Sequence, residues 1–259
     1  MHRLAALALL ILAGCDSGGE SDAVFEVTST FDTSAFNEPS GIVYHPGRQV
    51  LFVVGDDGDV AELTTAGETL RVRRVQDAEF EGLTVNPTTG LLYAVIEGGE
   101  LIVEIEPEGL RPTRVFTISR TDGDTVVLPE GGQGVEGITF VGGETFAVVN
   151  QGKDGDPNDP PTFVELRVPL AGTTLNAEIT SHRRLDFPDL SGLHYDASRQ
   201  RYYVLSDDEN LFVELDRASN ELSRERFIGN SQEGITIGPD GTLYVAQDAG
   251  AVLEVRWNR

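Results

Sequence analysis

The chain is 259 residues long and 39% apolar, and its 43 acidic residues against 19 basic ones give a formal net charge of −24 at pH 7. So acidic a surface repels phosphate backbones, which excludes nucleic acid as a partner and makes cations the natural counter-ligands. The single cysteine, Cys15, excludes internal disulfides, thiolate metal clusters and a cysteine nucleophile in the folded domain.

Residues 1–14 carry a basic residue, Arg3, then an apolar run too short to span a bilayer as a helix, and read as a signal peptide. The Leu-Ala-Gly-Cys end of that run resembles the bacterial lipobox, which implies cleavage before Cys15 and lipid attachment to its sulfur; an ordinary secretory signal with an incidental cysteine is the alternative. Residues 15–23, small and polar after the cysteine, read as the lipid attachment site and a flexible tether. Acyl chains, each CH₂ contributing about 0.8 kcal/mol when buried, would hold the protein on a membrane without a transmembrane helix. The expected location is therefore the bacterial cell envelope, facing the periplasm or the exterior.

Residues 24–259 form one domain with a repeat. The phrases PSGIVYHP, FEGLTVNP, VEGITFVG, LSGLHYDA and QEGITIGP place glycines at Gly41, Gly82, Gly137, Gly192 and Gly234, spaced by 41 to 55 residues. Each phrase leads through a turn (HPGR, NPTTG, GPDG) into an apolar run such as VLFVVG or LLYAVI, then into a third run such as VELD, then into a polar alternating run such as ETLRVRRV. Period-2 alternation, β-branched and aromatic enrichment and turn chemistry between runs predict antiparallel strands. A period of this length filled with short strands predicts an all-β, five-bladed β-propeller of four-stranded antiparallel blades. The fifth repeat stops after three strands, and VFEVTSTF, residues 24–31, supplies a candidate fourth that would close the ring. A sixth blade would need another repeat in the two longest intervals, which hold only loop-like insertions.

The residue before each recurring glycine is Ser40, Glu81, Glu136, Ser191 or Glu233, and thirteen to fifteen residues after each glycine, where the second strand ends, stand Asp56, Glu97, Asn150, Asp207 and Asp248. Inner strands start and second strands end at the same mouth of a propeller channel, so these oxygen-bearing side chains should converge there. Converging carboxylates either take up protons or hold a cation, and a histidine-free, cysteine-free oxygen set suits Ca²⁺. Glu81, Glu136 and Glu233 are the leading ligands, with Asp56, Glu97, Asp207 and Asp248 outside them; alternatively all of these cap strands around a water-filled channel. A second calcium candidate is the KDGDPNDPP loop with Asp154, Asp156 and Asn158, which reads nearly as well as a surface turn, as does TDGDT at residues 121–125. No GxSxG, HExxH, P-loop or Rossmann pattern occurs, and His45, His182 and His194 fall at unrelated repeat positions, where packing or a satisfied hydrogen bond is the expectation.

The recurring [S/E]-G-[I/L] phrase, VLSDDENLFVELD and QEGITIGPDGTLYVAQD resemble the SdiA-regulated family of bacterial propellers over about residues 31–257. The resemblance implies a five-bladed propeller with bound Ca²⁺ and no established activity. NHL-repeat, gluconolactonase-type and phytase propellers share pieces of the pattern; the first-strand EG glutamate of the gluconolactonase type is an analogy for Glu81, Glu136 and Glu233, while a single lysine, Lys153, argues against holding phytate. The expected function is a monomeric, lipid-anchored, calcium-binding scaffold or binding module with an envelope ligand at the channel mouth. The alternative is a metal-dependent hydrolase of lactones or phosphoesters using the same carboxylates.

Overall fold

The computed structural model describes residues 24–153 and 155–259, and every helix-or-strand element among them is a β-strand. In chain order these are β1 (Phe25–Asp32); β2 (Pro39–His45), β3 (Val50–Gly55), β4 (Asp59–Thr64) and β5 (Thr69–Arg74); β6 (Phe80–Val85), β7 (Leu92–Ile96), β8 (Leu101–Glu106) and β9 (Arg111–Ile118); the short hairpin of β10 (Thr121–Asp122) and β11 (Thr125–Val126); β12 (Val135–Gly142), β13 (Thr145–Asn150), β14 (Thr162–Arg167) and β15 (Asn176–Arg184); β16 (Leu190–Asp196), β17 (Arg201–Ser206), β18 (Leu211–Leu215) and β19 (Glu221–Arg226); and β20 (Gln232–Ile237), β21 (Leu243–Gln247) and β22 (Ala251–Trp257).

The strands β2 to β5 and β16 to β19 each form a four-stranded meander. The last sheet runs β1-β22-β21-β20, with Phe25 opposite Trp257 and Phe31 opposite Val252, the closing pair expected from the sequence. An eight-stranded sheet, β12-β13-β14-β15-β9-β8-β7-β6, is two antiparallel meanders joined where β15 touches β9 in parallel at Asn176 and Ala177. The architecture is all-β and propeller-like.

Burial explains the sequence patterns. The second strands are covered on both faces, so β3, VLFVVG, is buried at every position, whereas the outer strand β19, ELSRER, is exposed at every position. Core clusters form between neighbouring meanders: Val43, Phe52 and Val54 meet Phe80, Leu92 and Ala94, and the Phe163 ring lies 4.8 Å from that of Tyr202. A glutamate on the third strand is held by arginine in several sheets, as when Thr113 Oγ1 and Tyr93 Oη donate to buried Glu104 at 2.7 and 2.9 Å and Arg114 pairs with it. Arginines also reach the next sheet: Arg71 Nη2 donates to Pro107 O at 2.6 Å and Arg114 Nη1 to Leu170 O at 2.9 Å. A planar five-donor head suits such bridging, which gives a reason for nearly all basic residues being arginine.

The first strands β2, β6, β12, β16 and β20 stand side by side around a common axis, each against its two neighbours. The recurring glycines mark their closest approach. A Cβ on Gly82 would lie 2.4 Å from Glu136 O, and one on Gly234 would lie 2.4 Å from Ser40 O; the contacts run round the ring in the same sense. Only about 10 Å³ remains at this waist, roughly the space of one water. Beyond it, Tyr44, Val85, Phe140, Tyr195 and Ile237 line a second, largely apolar funnel of about 260 Å³. There the Thr236, Thr84 and Thr139 hydroxyls accept the backbone N–H of Tyr44, Phe140 and Tyr195 at 3.0, 2.9 and 2.9 Å, tying adjacent inner strands together.

Candidate carboxylate site at the channel mouth

Each inner strand breaks register with its partner beside its recurring glycine, at Pro39/Gly41, Phe80/Leu83, Val135/Gly137, Leu190/Leu193 and Gln232/Gly234. Ser40, Glu81, Glu136, Ser191 and Glu233 therefore sit in β-bulges, which free a side chain from the ladder and re-aim it. Opposite them the second strands end, Pro39 facing Gly55 and Gln232 facing Gln247, so that Asp56 and Asp248 follow at the same mouth.

The glutamates influence one another strongly. Burial, then the charges of Asp56, Glu97 and Glu233, push the Glu81 carboxyl up, and burial, then Glu81 and Glu233, push Glu136 up still further. Each of the two carboxyls perturbs the other, and a proton held between them would relieve part of their repulsion. Burial, then Asp207, Asp189 and Asp248, raise Glu233 to about 8. No arginine or lysine among the described residues pairs with any of these three.

The outer positions differ from one another. Asp56 is raised by burial, offset by the Ser40 hydroxyl that donates to it at 2.7 Å, and Glu97 is raised first by its hydrogen bond with Glu79 and then by burial. Asp207 is raised by burial while it accepts the backbone N–H of Gln232 at 2.9 Å. Asp248 lies beside Glu38 in a recess of about 340 Å³ between the first and last sheets. Ser191 is occupied by donating to Gln232 O at 2.5 Å, and Asn150 turns to Asp159 Oδ1, to which it donates at 3.0 Å. The sequence reading missed Glu38, Glu79 and Asp189, which add charge to the same mouth. Their signal was available: each stands three residues before a recurring glycine. Glu38 and Asp189 hold φ of 46° and 56°, a left-handed conformation that the bulged turn imposes.

The donor chemistry is hard oxygen throughout, which fits a Ca²⁺-like ion, and Gln232 Oε1, next to Glu233, is buried with no hydrogen-bond partner. Among the described residues no three His, Cys, Asp or Glu side chains are drawn together into a ready-made metal cage. In the KDGDPNDPP loop, Asp156 accepts the Asn158 amide at 2.9 Å inside a turn, Asn158 borders a cavity, and Asp154 lies outside the described residues. The TDGDT stretch is the β10–β11 hairpin. His45 packs on Phe52 with Nε2 3.0 Å from Gly90 O, His182 is on β15, and His194 is in the opposite funnel, so none of the three is at this mouth. Residues 1–14, Cys15 and the tether to residue 23 lie outside the described residues.

The sequence pattern that defines the SdiA-regulated family matches residues 25–250. Among curated proteins none matches the chain in sequence. Of solved structures, the crystal structure of the Myxococcus xanthus glutaminyl cyclase is similar, with a TM-score of 0.64 over 90% of this chain and 95% of that one at 13% identity. Likeness at that identity is a likeness of fold, and folds of this kind host unrelated chemistries.

Proposed function

The chain belongs to the SdiA-regulated family, and we propose that it is a five-bladed, four-strands-per-blade propeller that binds calcium at its carboxylate mouth and acts as a lipid-anchored binding module of the bacterial cell envelope. Support for the blade count is the five equivalent bulges, the five-membered cycle of glycine contacts and the β1–β22 pairing. The observation that carries the calcium reading is the set of three glutamates, Glu81, Glu136 and Glu233, gathered in bulges without a cationic partner and raised by burial and mutual repulsion.

A hard divalent ion would supply the positive charge that this mouth lacks. Glu81, Glu136 and Glu233 would hold it, with Asp56, Glu97, Asp207 and Asp248 outside them. In its absence a proton shared by the Glu81–Glu136 pair would relieve part of the repulsion. Oxygen ligation of six to eight positions leaves room for water or a ligand oxygen, which is how the mouth would recognise an envelope component. A lactone or phosphoester hydrolase would also need a base poised over the ion, and the three described histidines stand elsewhere, so binding is the better-supported reading.

Calorimetric titration of the purified protein with Ca²⁺ tests the site. We expect saturable binding, lost in Glu136→Gln and kept in Asp156→Asn; heat only from non-saturating binding would overturn it, and loss caused by Asp156→Asn alone would move the site to the loop. For the anchor, Cys15→Ser should release the protein from membranes or leave an uncleaved precursor. Recovery of the wild type as a soluble protein without acyl mass would refute the anchor and leave the calcium site untouched.

A further inference from the structure

The two longest intervals between recurring glycines carry extra residues, and the structure folds the two additions against each other. One, residues 119–134, contains the β10–β11 hairpin and is pinned by Arg120 Nη1, which donates to Pro129 O at 2.9 Å. The other, residues 151–161, links β13 to β14. Buried Asp159 joins them, accepting the backbone N–H of Gln133 at 2.8 Å and the side-chain N–H of Asn150 at 3.0 Å. Between the additions lies a cavity of about 530 Å³, within the usual range of small-molecule sites.

Its walls are apolar: Val126, Val127, Pro129, Pro157 and Pro160, with Val126 64% exposed. At its rim, near the end of β15, stand the Arg184 guanidinium, a fixed cation, and the His182 imidazole. Arg48, Arg71, Arg114 and Arg120 each face a glutamate, but Arg184 has no carboxylate partner among the described residues. It donates Nη2 to Pro157 O at 3.0 Å, which fixes the guanidinium beside the cavity and leaves its other N–H groups available. The nearby carboxylate, Asp122, lies 3.7 Å from His182 Nε2. Because Arg184 pairs across β14 with Thr162, and Thr162 with Asn150, the cavity opens on the carboxylate-mouth side of the molecule, at its outer edge.

We propose that this cavity binds a small monocarboxylate with an apolar body, the carboxylate on the Arg184 guanidinium and the body against Val126 and the prolines. The overall acidic field disfavours anions, but at physiological salt it is screened over about 8 Å. A single anionic head placed on a planar fork is therefore accommodated, while a second carboxylate would face uncompensated acidic surface.

Calorimetry with 3-phenylpropionate, its amide 3-phenylpropionamide and the purified full chain tests the proposal. We expect one-site binding of the acid, with the amide weaker by about 10- to 100-fold, the worth of a hydrogen bond to a charged group. Arg184→Gln should weaken the acid by a similar factor and leave the amide unchanged, and Val126→Asp should weaken both; both side chains are exposed, so the melting temperature should hold. Absence of saturable binding of the acid at millimolar concentration, equal binding of acid and amide, or an Arg184→Gln variant with unaltered affinity would each overturn it.

Discussion

The two ends of the central channel are built by the same five strands and differ in chemistry. One residue before each glycine the strand is bulged, and the side chains there are carboxylates or hydroxyls; three residues after it the side chains are Tyr44, Val85, Phe140, Tyr195 and Ile237. At the first mouth burial raises carboxyl groups and makes them hold protons. At the second, burial lowers His194 to about 4 and strips it of charge. A glycine waist of about 10 Å³, roughly the space of one water, separates them. Desolvation acts on both ends alike, and the residue type decides whether it yields proton-holding carboxyls or an uncharged imidazole in an apolar funnel.

The largest perturbation should remove what both ends share. Deleting residues 25–32 strips β22 of its partner, at about 1 kcal/mol for each lost backbone hydrogen bond, and removes buried Phe25 and Phe31, at about 1.5–3 kcal/mol each. The total approaches the whole stability of an ordinary domain. We expect no cooperative thermal transition in the deletion, and an unchanged melting temperature would break the closed-ring account. Next in size, Gly82→Ala would press a methyl onto the Glu136 carbonyl and distort the waist. A loss of about 1–3 kcal/mol or more is expected by denaturant unfolding, with both ends affected; a loss below 0.5 kcal/mol would mean the strands are not so close.

A smaller change should touch the carboxylate mouth alone. Glu136→Gln removes a buried ionisable group, so the calcium-free protein should gain about 1–3 kcal/mol at pH 8 while the rise of melting temperature with calcium shrinks. The pH dependence sharpens the same point. Glu233 has a folded pKa of about 8 against an ordinary value of 4.5, so its contribution to stability is fully present below 4.5 and is lost as pH rises through 8. Calcium-free protein should therefore lose stability from pH 5 to 8, and saturating calcium should flatten the curve; identical curves with and without calcium would count against the site. Smallest of all, His194→Leu should change stability by less than about 1 kcal/mol, because the imidazole is already uncharged and has no hydrogen-bond partner among the described residues, and it should leave the calcium response intact. A change in calcium affinity would show that the waist does not insulate the two ends.

The repeat, the inner strands and the closing strand were legible in the sequence, because glycine spacing and period-2 alternation are local properties of the chain, and the same spacing put Glu81, Glu136 and Glu233 in bulges at one mouth. It also assigned Asn150 to the mouth, although Asn150 is drawn off to Asp159, which only the folding of two insertions against each other brings near. Glu38, Glu79 and Asp189 were legible at a fixed offset from the glycine but not recognised, since nothing local says that a residue preceding a strand lies close enough to the mouth for its charge to act there.

By itself, then, the sequence determined the strand order and which residue types recur at each level of the ring: a side chain alternates across a strand whatever surrounds it, and glycine is the residue a close approach requires. Tertiary structure alone decided how far each group is buried, which carboxyls are pushed toward the protonated form, and that the two insertions enclose one cavity. Those properties depend on distances between residues far apart in the chain, and desolvation and Coulomb repulsion are set by such distances.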